Sequence, residues 1–238
     1  MDKLYYDLHI HSCLSPCGDV DMTPCNLVNM AAINGLDLIA LTDHNTARNC
    51  PAAIRAGEEA GILVLPGMEL TTSEEVHVVC LFADLTAALA FSEYVYACLP
   101  DIENMPGIFG EQIVMGAEDR QLGRLSKLLI NATSISVMEV NRLVESYGGF
   151  CYPAHVDRSS NSILANLGGI PPECGFTAVE ISKEGDDAAL MQAHTALQAM
   201  KRLHSSDAHY LPDIGDPVHS LLVRERTPGA VLLALRRG

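Results

Sequence analysis

No apolar run in this sequence approaches the roughly 20 residues that a membrane-spanning helix needs, so no membrane segment is expected. A leader is equally hard to find, because Met1-Asp2-Lys3 leads straight into a strand; a cytosolic (cytoplasmic) setting is the default expectation. The motif Cys-x-x-Cys does not occur among the eight cysteines, which favours reduced thiols over a disulfide framework. Cys13 and Cys17 stand close to a pair of histidines and are read as small buried hydrophobes rather than metal ligands. Basic residues are scarce: 15 Lys plus Arg against 30 Asp plus Glu leave a net charge of −15. Non-specific nucleic-acid affinity comes from basic groups that displace counterions, so long duplex DNA or RNA is not expected as a partner. An anionic partner is expected to be small, or to be drawn in by a locally positive site. Neither Gly-x-Ser-x-Gly nor a P-loop occurs to suggest other hydrolytic or nucleotide chemistry.

What the chain has is a regular rhythm. Its 238 residues, 48% of them hydrophobic, suffice for a sizeable core and are read as a single domain over 1–238. Short apolar runs alternate with helical segments, the pattern of βα units around a parallel sheet. Seven strands are expected, over Leu4 to Ile10, Leu38 to Leu41, Ile62 to Leu65, Val76 to Phe82, Phe150 to Tyr152, Ala178 to Ile181 and Leu203 to Ser206. Thr23-Pro24 starts a helix that Gly35 ends, and further helices are expected over Pro51 to Ala60, Leu85 to Cys98, Ala188 to Met200 and Pro228 to Arg237. Ser136-Val137-Met138-Glu139 matches a capping box that opens another helix. The segment at about 100–130 breaks the rhythm and is expected to be a lid-like insertion, with a hairpin from Gln112 to Met115 and Gln121 to Leu125.

Polar residues fall where the strands stop. His9 and His11, two apart on one strand, project from the same face. His44, Glu69, His155, Asp207 and His209 follow other strands, the fourth strand carries His77, and Asp19 lies in the loop after the first. In parallel α/β barrels, sites assemble at the C-terminal rim from the ends of several strands. Six imidazoles and three carboxylates are too many for one ion. They suit two or three divalent ions, Mn, Fe or Zn, with a bridging carboxylate. The ions would outweigh the carboxylates and leave a positive pocket under an acidic surface, fitted to a small anionic phosphoester.

Leu8-His9-Ile10-His11-Ser12, Thr42-Asp43-His44, Met68-Glu69, Pro153-Ala154-His155 and Ser206-Asp207-Ala208-His209, in this order, resemble the motifs of the PHP (polymerase and histidinol phosphatase) family. The resemblance implies a distorted, TIM-like (β/α)7 barrel with a trinuclear site that hydrolyses phosphoesters through a metal-bound hydroxide. It implies that His9 and His11 hold one ion with Glu69 and Asp207, that Glu69 bridges to a second held by His77 and His155, and that Asp19, His44 and His209 hold a third. Where the family has Ser-Asp-Gly, this chain has Ser15-Pro16-Cys17-Gly18-Asp19, which leaves Asp21 as an alternative to Asp19. Substrates implied are small phosphomonoesters or short phosphodiesters such as a nucleotide, an oligonucleotide, or a sugar or amino-alcohol phosphate.

Arg158 is placed to clamp a substrate phosphate in a bidentate fashion, with a surface salt bridge the competing role, and Lys183 is a weaker phosphate-binding candidate. Asp43 is expected to orient histidines rather than to act as a general acid. His194, His204 and His219 are read as structural. An amidohydrolase-like hydrolase and a non-catalytic metal-bound module of a larger assembly are the alternative functions. The first lacks a lysine suited to carboxylation at a strand end, and an intact ligand set counts against the second.

Overall fold

A computed structural model describes residues 1–237. In chain order the elements are β1 (Asp2–Ile10), α1 (Pro24–Ile33), β2 (Leu38–Leu41), α2 (Cys50–Ala60), β3 (Leu63–Thr71), β4 (His77–Leu81), α3 (Leu85–Cys98), α4 (Pro106–Phe109), β5 (Ile113–Met115), β6 (Gln121–Arg124), α5 (Val137–Ser146), β7 (Phe150–Pro153), α6 (Ile163–Leu167), β8 (Ala178–Ile181), α7 (Asp187–Ala193), β9 (Lys201–His204), β10 (Ser220–Val223) and α8 (Pro228–Arg236). Six strands form one sheet in the order β10-β1-β2-β3-β4-β7, while β8 and β9 form a separate parallel pair.

The expected all-parallel arrangement holds only in part. β4 runs antiparallel to β3 and β7 antiparallel to β4, which leaves a mixed, curled half-barrel. The five residues between β3 and β4 are the reason: a parallel return needs a crossover of a dozen or more residues, whereas a short link makes a hairpin. The reversal brings the first residue of β4, His77, to the rim where β3 ends, opposite Thr71. The β8–β9 pair touches both flanks of the sheet, through Val156 N–H donating to Glu180 O at 2.8 Å and through a parallel bridge between Ile10 and Ala208.

Two apolar layers hold the sheet. Ile39, Leu41, Val64, Met68, Val78 and Cys80 pack outward against the helices, in one cluster with Leu27, Ala53, Phe91 and Val140. Leu8, Leu38, Ala40, Leu65, Val79, Tyr152, Ala178 and Leu203 face inward, where Val231, Leu232 and Leu235 of α8 join them. The alternation along β2 is what a strand covered on both faces requires. In β1 it is interrupted: between Asp7 and Ile10 the register against β2 slips by one residue. Leu8 belongs to the inner core, and His9, its neighbour, also points to the inner rim. A bulge therefore turns the histidines onto the face that the strand's earlier residues would otherwise fill, a known use of bulges beside sites.

Several local expectations shift. The helix expected over Ala188 to Met200 is α7 followed by a 3-10 turn over Thr195–Ala199, with His194 at the junction. Ser136 caps α5 by accepting from Met138 N and donates its hydroxyl to Glu74, so the capping box with Glu139 does not form. β10, which pairs antiparallel with β1, was not anticipated. The 100–130 segment forms α4 and the β5–β6 hairpin. It is tied to the loops after β1 and β2: Ile113 N–H donates to Cys13 O, Met115 N–H to Asn49 Oδ1, and Asn45 Nδ2 donates to Leu129 O and Asn131 O.

Candidate metal centre

The rim collects imidazoles from five places in the chain around two carboxylates. Glu69, within β3 and 1% exposed, is the hub. Its Oε1 lies 3.3 Å from His9 Nε2, 2.8 Å from His77 Nδ1 and 3.1 Å from His155 Nε2, and its Oε2 lies 3.0 Å from His44 Nδ1 and 3.4 Å from His11 Nε2. Asp207 Oδ1 is 3.3 Å from His9 Nε2 and 3.1 Å from His11 Nε2. Three groups of donor atoms converge closely enough to hold ions: His9, His11, Glu69 and Asp207; His44, Glu69 and His77; and His11, His44 and His209. His155 joins through Glu69. Both His155 and Asp207 have positive φ, 29° and 52°, strained backbone of a kind that persists where surrounding structure fixes a functional geometry.

The hydrogen bonds behind the rings decide which nitrogen faces inward. His9 Nδ1 lies 2.8 Å from Glu180 Oε1, and a carboxylate can only accept, so His9 donates there and turns Nε2 to the centre. Ser15 Oγ donates to Asp43 Oδ1 at 2.7 Å and therefore accepts from His11 Nδ1 at 2.9 Å, which turns His11 Nε2 to the centre too. Asp43 also accepts from Ser12 N and Ser12 Oγ at 2.7 and 2.6 Å. Its contact with the centre runs through Ser15, which orients the His11 imidazole. Two ring nitrogens 3.2 Å apart, each with the other nitrogen of its ring committed elsewhere, call for a proton or a cation between them and the carboxylates. Buried His155 Nδ1 has no hydrogen-bond partner, and His44 Nδ1 and Asp207 Oδ1 meet only other groups of the cluster. A set of imidazole and carboxylate donors, each backed by a second group, fits divalent metal.

The electrostatics point the same way. Burial alone would raise the Glu69 carboxyl, but His77, His9 and His44 outweigh it and hold it well below the ordinary range. Asp207 is likewise depressed, burial being overcome by His9 and His11. Burial would lower His9, yet Glu180, Asp207 and Glu69 hold it well above the usual histidine value. His11 is raised to about 9, its burial outweighed by hydrogen bonds to Asp207 and Glu69. His209 falls to about 3, from burial and the neighbouring His11 charge. Protons on some rings thus balance the two carboxylates, and a cation would do so in their place.

Glu180 was not foreseen. It sits in Val179-Glu180-Ile181 of β8, where a single acidic residue reads as a solvent-facing position, yet it is 1% exposed, and Oε1 also accepts from His155 N at 3.2 Å. Asp19 is placed otherwise than expected. Its Oδ1 accepts from Asp21 N at 2.8 Å, the group His11, His44 and His209 closes without it, and Asp21 is exposed. Arg158 lines the cavity of about 180 Å³ over the centre, with Ser160 and Asn161, and donates to Asp207 Oδ2 at 2.5 Å. Lys183 lines a different cavity, with Tyr6, Asp7, His204 and His219.

The model of the PHP domain family matches residues 7–156, well over half of the chain. The chain belongs to the PHP domain family. A 5'-3' exoribonuclease of Haemophilus influenzae is 38% identical over 84 residues, a stretch covering 34% of this chain and 30% of that protein. Endonuclease Q of Pyrococcus furiosus superposes on all of this chain with TM-score 0.72 at 18% identity; the match covers 57% of the endonuclease. A protein from Bifidobacterium adolescentis named as a metal-dependent phosphoesterase superposes with TM-score 0.61 at 21% identity, covering 98% of this chain and 96% of its own. These relatives are named as hydrolases of phosphoester bonds.

One expectation is overturned. An endonuclease Q structure, which superposes with TM-score 0.71, holds a 27-mer duplex with an abasic lesion at its active site, so the expectation that excludes long duplex nucleic acid is withdrawn. The net charge of −15 averages over the whole surface, whereas a phosphate backbone is met by local groups at one rim. Among the described residues no helix is long and apolar enough to cross a membrane.

Proposed function

We propose that this PHP domain is a metal-dependent phosphoesterase that hydrolyses a phosphomonoester or a phosphodiester such as a nucleotide or oligonucleotide. The observation that carries the reading is the convergence of His9 Nε2 and His11 Nε2 on Glu69 and Asp207. His9, His11, Glu69 and Asp207 would hold one divalent ion, Glu69 with His77, His44 and His155 a second, and His11, His44 and His209 a third; Mn, Fe and Zn suit such donors. Bound there, the ions would polarise a phosphoryl oxygen and lower the pKa of water from about 15.7 towards about 7. Glu180 and Ser15 keep the protons of His9 and His11 on Nδ1. Arg158 stands at the mouth of the cavity, where a guanidinium fork can orient phosphate oxygens and be released from Asp207 as it does so. We read β1, β2, β3, β4, β7, β8 and β9 as an opened (β/α)7 barrel within one domain, and the 100–130 segment as a brace for the loops bearing His11 and His44.

The test is a panel of aryl phosphates, phosphodiesters, nucleotides and short oligonucleotides, run with Mn, Fe or Zn. Hydrolysis that His155→Ala nearly abolishes, in protein that stays folded, is expected; equal activity in the variant would remove His155 from the centre.

A further inference from the structure

The His11, His44 and His209 group differs from the other two in containing no carboxylate. The loop between β1 and α1 is fastened to all three of its histidines. Ser15 Oγ accepts from His11 Nδ1 at 2.9 Å and from His44 N at 3.1 Å, and Asp19 N–H donates to His209 O at 2.9 Å. Cys17 lies midway between these two anchors. Gly18 N–H closes the turn onto Ser15 O at 2.9 Å, and a Cβ on Gly18 would meet Ser12 O at 2.4 Å, so the loop admits only glycine there without shifting. This path carries Cys17 alongside His44, close enough for the sulfur to act on the imidazole electrostatically. The carboxylate of Asp19 is meanwhile engaged with Asp21 N, and His44, 5% exposed, meets Glu69 Oε2 through Nδ1 at 3.0 Å.

We infer that Cys17, as a thiolate, is the anionic ligand of the ion held by His11, His44 and His209, in the role the family resemblance assigned to Asp19. The inference rests on the metal-centre reading of this site. On binding, the Cys17 S–H proton leaves to solvent as the sulfur–metal bond forms. A soft thiolate selects Zn, Co or Fe(II) over Mg and Mn, so this position differs in preference from the two that contain carboxylates. Cys17 is exposed, unlike Cys13, which is buried against Ile113 and Met115. Its reading as one more buried hydrophobe is thereby revised.

Cobalt(II) gives a readout independent of catalysis. Chelator-stripped full-length protein titrated with Co(II) is expected to develop visible d–d bands and a near-ultraviolet sulfur-to-cobalt charge-transfer band. Cys17→Ser should lose the charge-transfer band and bind the last cobalt more weakly, while the d–d bands of the remaining ions show that the protein is folded. Cys17→Asp should recover that cobalt without the band, and Asp19→Asn should keep both. Cobalt bound with d–d bands but no charge-transfer band, or a band that survives Cys17→Ser, would overturn the assignment of Cys17 alone. Absence of any bound cobalt would contradict the metal centre itself, and the inference with it.

Discussion

His9 Nε2 and His11 Nε2 face each other across 3.2 Å while the opposite nitrogen of each ring is committed, to Glu180 in one case and to Ser15 in the other. Nitrogens held that close, beside the carboxylates of Glu69 and Asp207, need positive charge between them, supplied by protons or by a metal ion. The bulge in β1 creates the pairing, because strict alternation after Leu8 would have sent His9 to the outer face.

Glu180 should act on metal through His9. Groups behind a metal-bound histidine are commonly worth 10- to 100-fold in affinity, so Glu180→Gln is expected to weaken binding by roughly that factor with the fold retained. A competition titration against a chromophoric chelator measures it, and unchanged affinity would leave Glu180 a purely structural role.

Asp43 accepts three hydrogen bonds in a fully buried setting. Replacement by Ala orphans the Ser12 amide and frees both hydroxyls, and a buried unsatisfied group costs about 1–3 kcal/mol. Asp43→Ala should therefore lower stability by about 2 kcal/mol or more, read as a shift in the urea midpoint. A shift below about 0.5 kcal/mol, the range of ordinary surface changes, would show that the network contributes little.

Much of this architecture is legible in the sequence, and the misses have definite causes. β2, α3 and β8 follow from apolar runs and turn residues because each is covered by the element before or after it. β4 is legible in position from its apolar run but not in direction, which follows from the five-residue Thr72–Val76 link, too short for a parallel crossover. β10 was invisible because Ser220–Val223 is only four residues long and finds its partner, β1, at the other end of the chain. The ligand histidines announce themselves by falling at strand ends. Glu180 does not, because one acidic residue among apolar neighbours has the same pattern whether it faces water or an imidazole. Asp19 was selected by motif spacing, and spacing does not reveal that its carboxylate caps its own loop.

Metal binding should depend on pH through the histidines that carry protons without it. His11 and His44, both raised to about 9, must give up those protons, so apparent affinity should climb as pH rises towards 9. The same shifts bear on the stability of the metal-free protein. A histidine raised in the folded state contributes stability that is fully present below its ordinary value of 6.5 and lost as pH rises through about 9. Chelator-treated protein is expected to lose thermal stability from pH 6.5 to 9, and metal-loaded protein much less; parallel curves would contradict the shared role of proton and ion.

Arg158 is 45% exposed in its side chain, so its pairing with Asp207 should add at most about 1 kcal/mol to stability. Its effect should appear in substrate binding: Arg158→Ala is expected to raise KM for a phosphoester several-fold more than it lowers kcat. A change in kcat alone would assign it to the ligand sphere of Asp207 instead.

The central claim is that the imidazole and carboxylate cluster holds metal ions that hydrolyse phosphoesters. The most direct measurement is hydrolysis of the phosphoester panel by protein whose metal content is determined in the same sample, before and after chelation. Bound metal, hydrolysis of at least one phosphoester, loss of activity on chelation and recovery on adding back Mn, Fe or Zn are expected. Protein that holds its metal and hydrolyses nothing across the panel would contradict it.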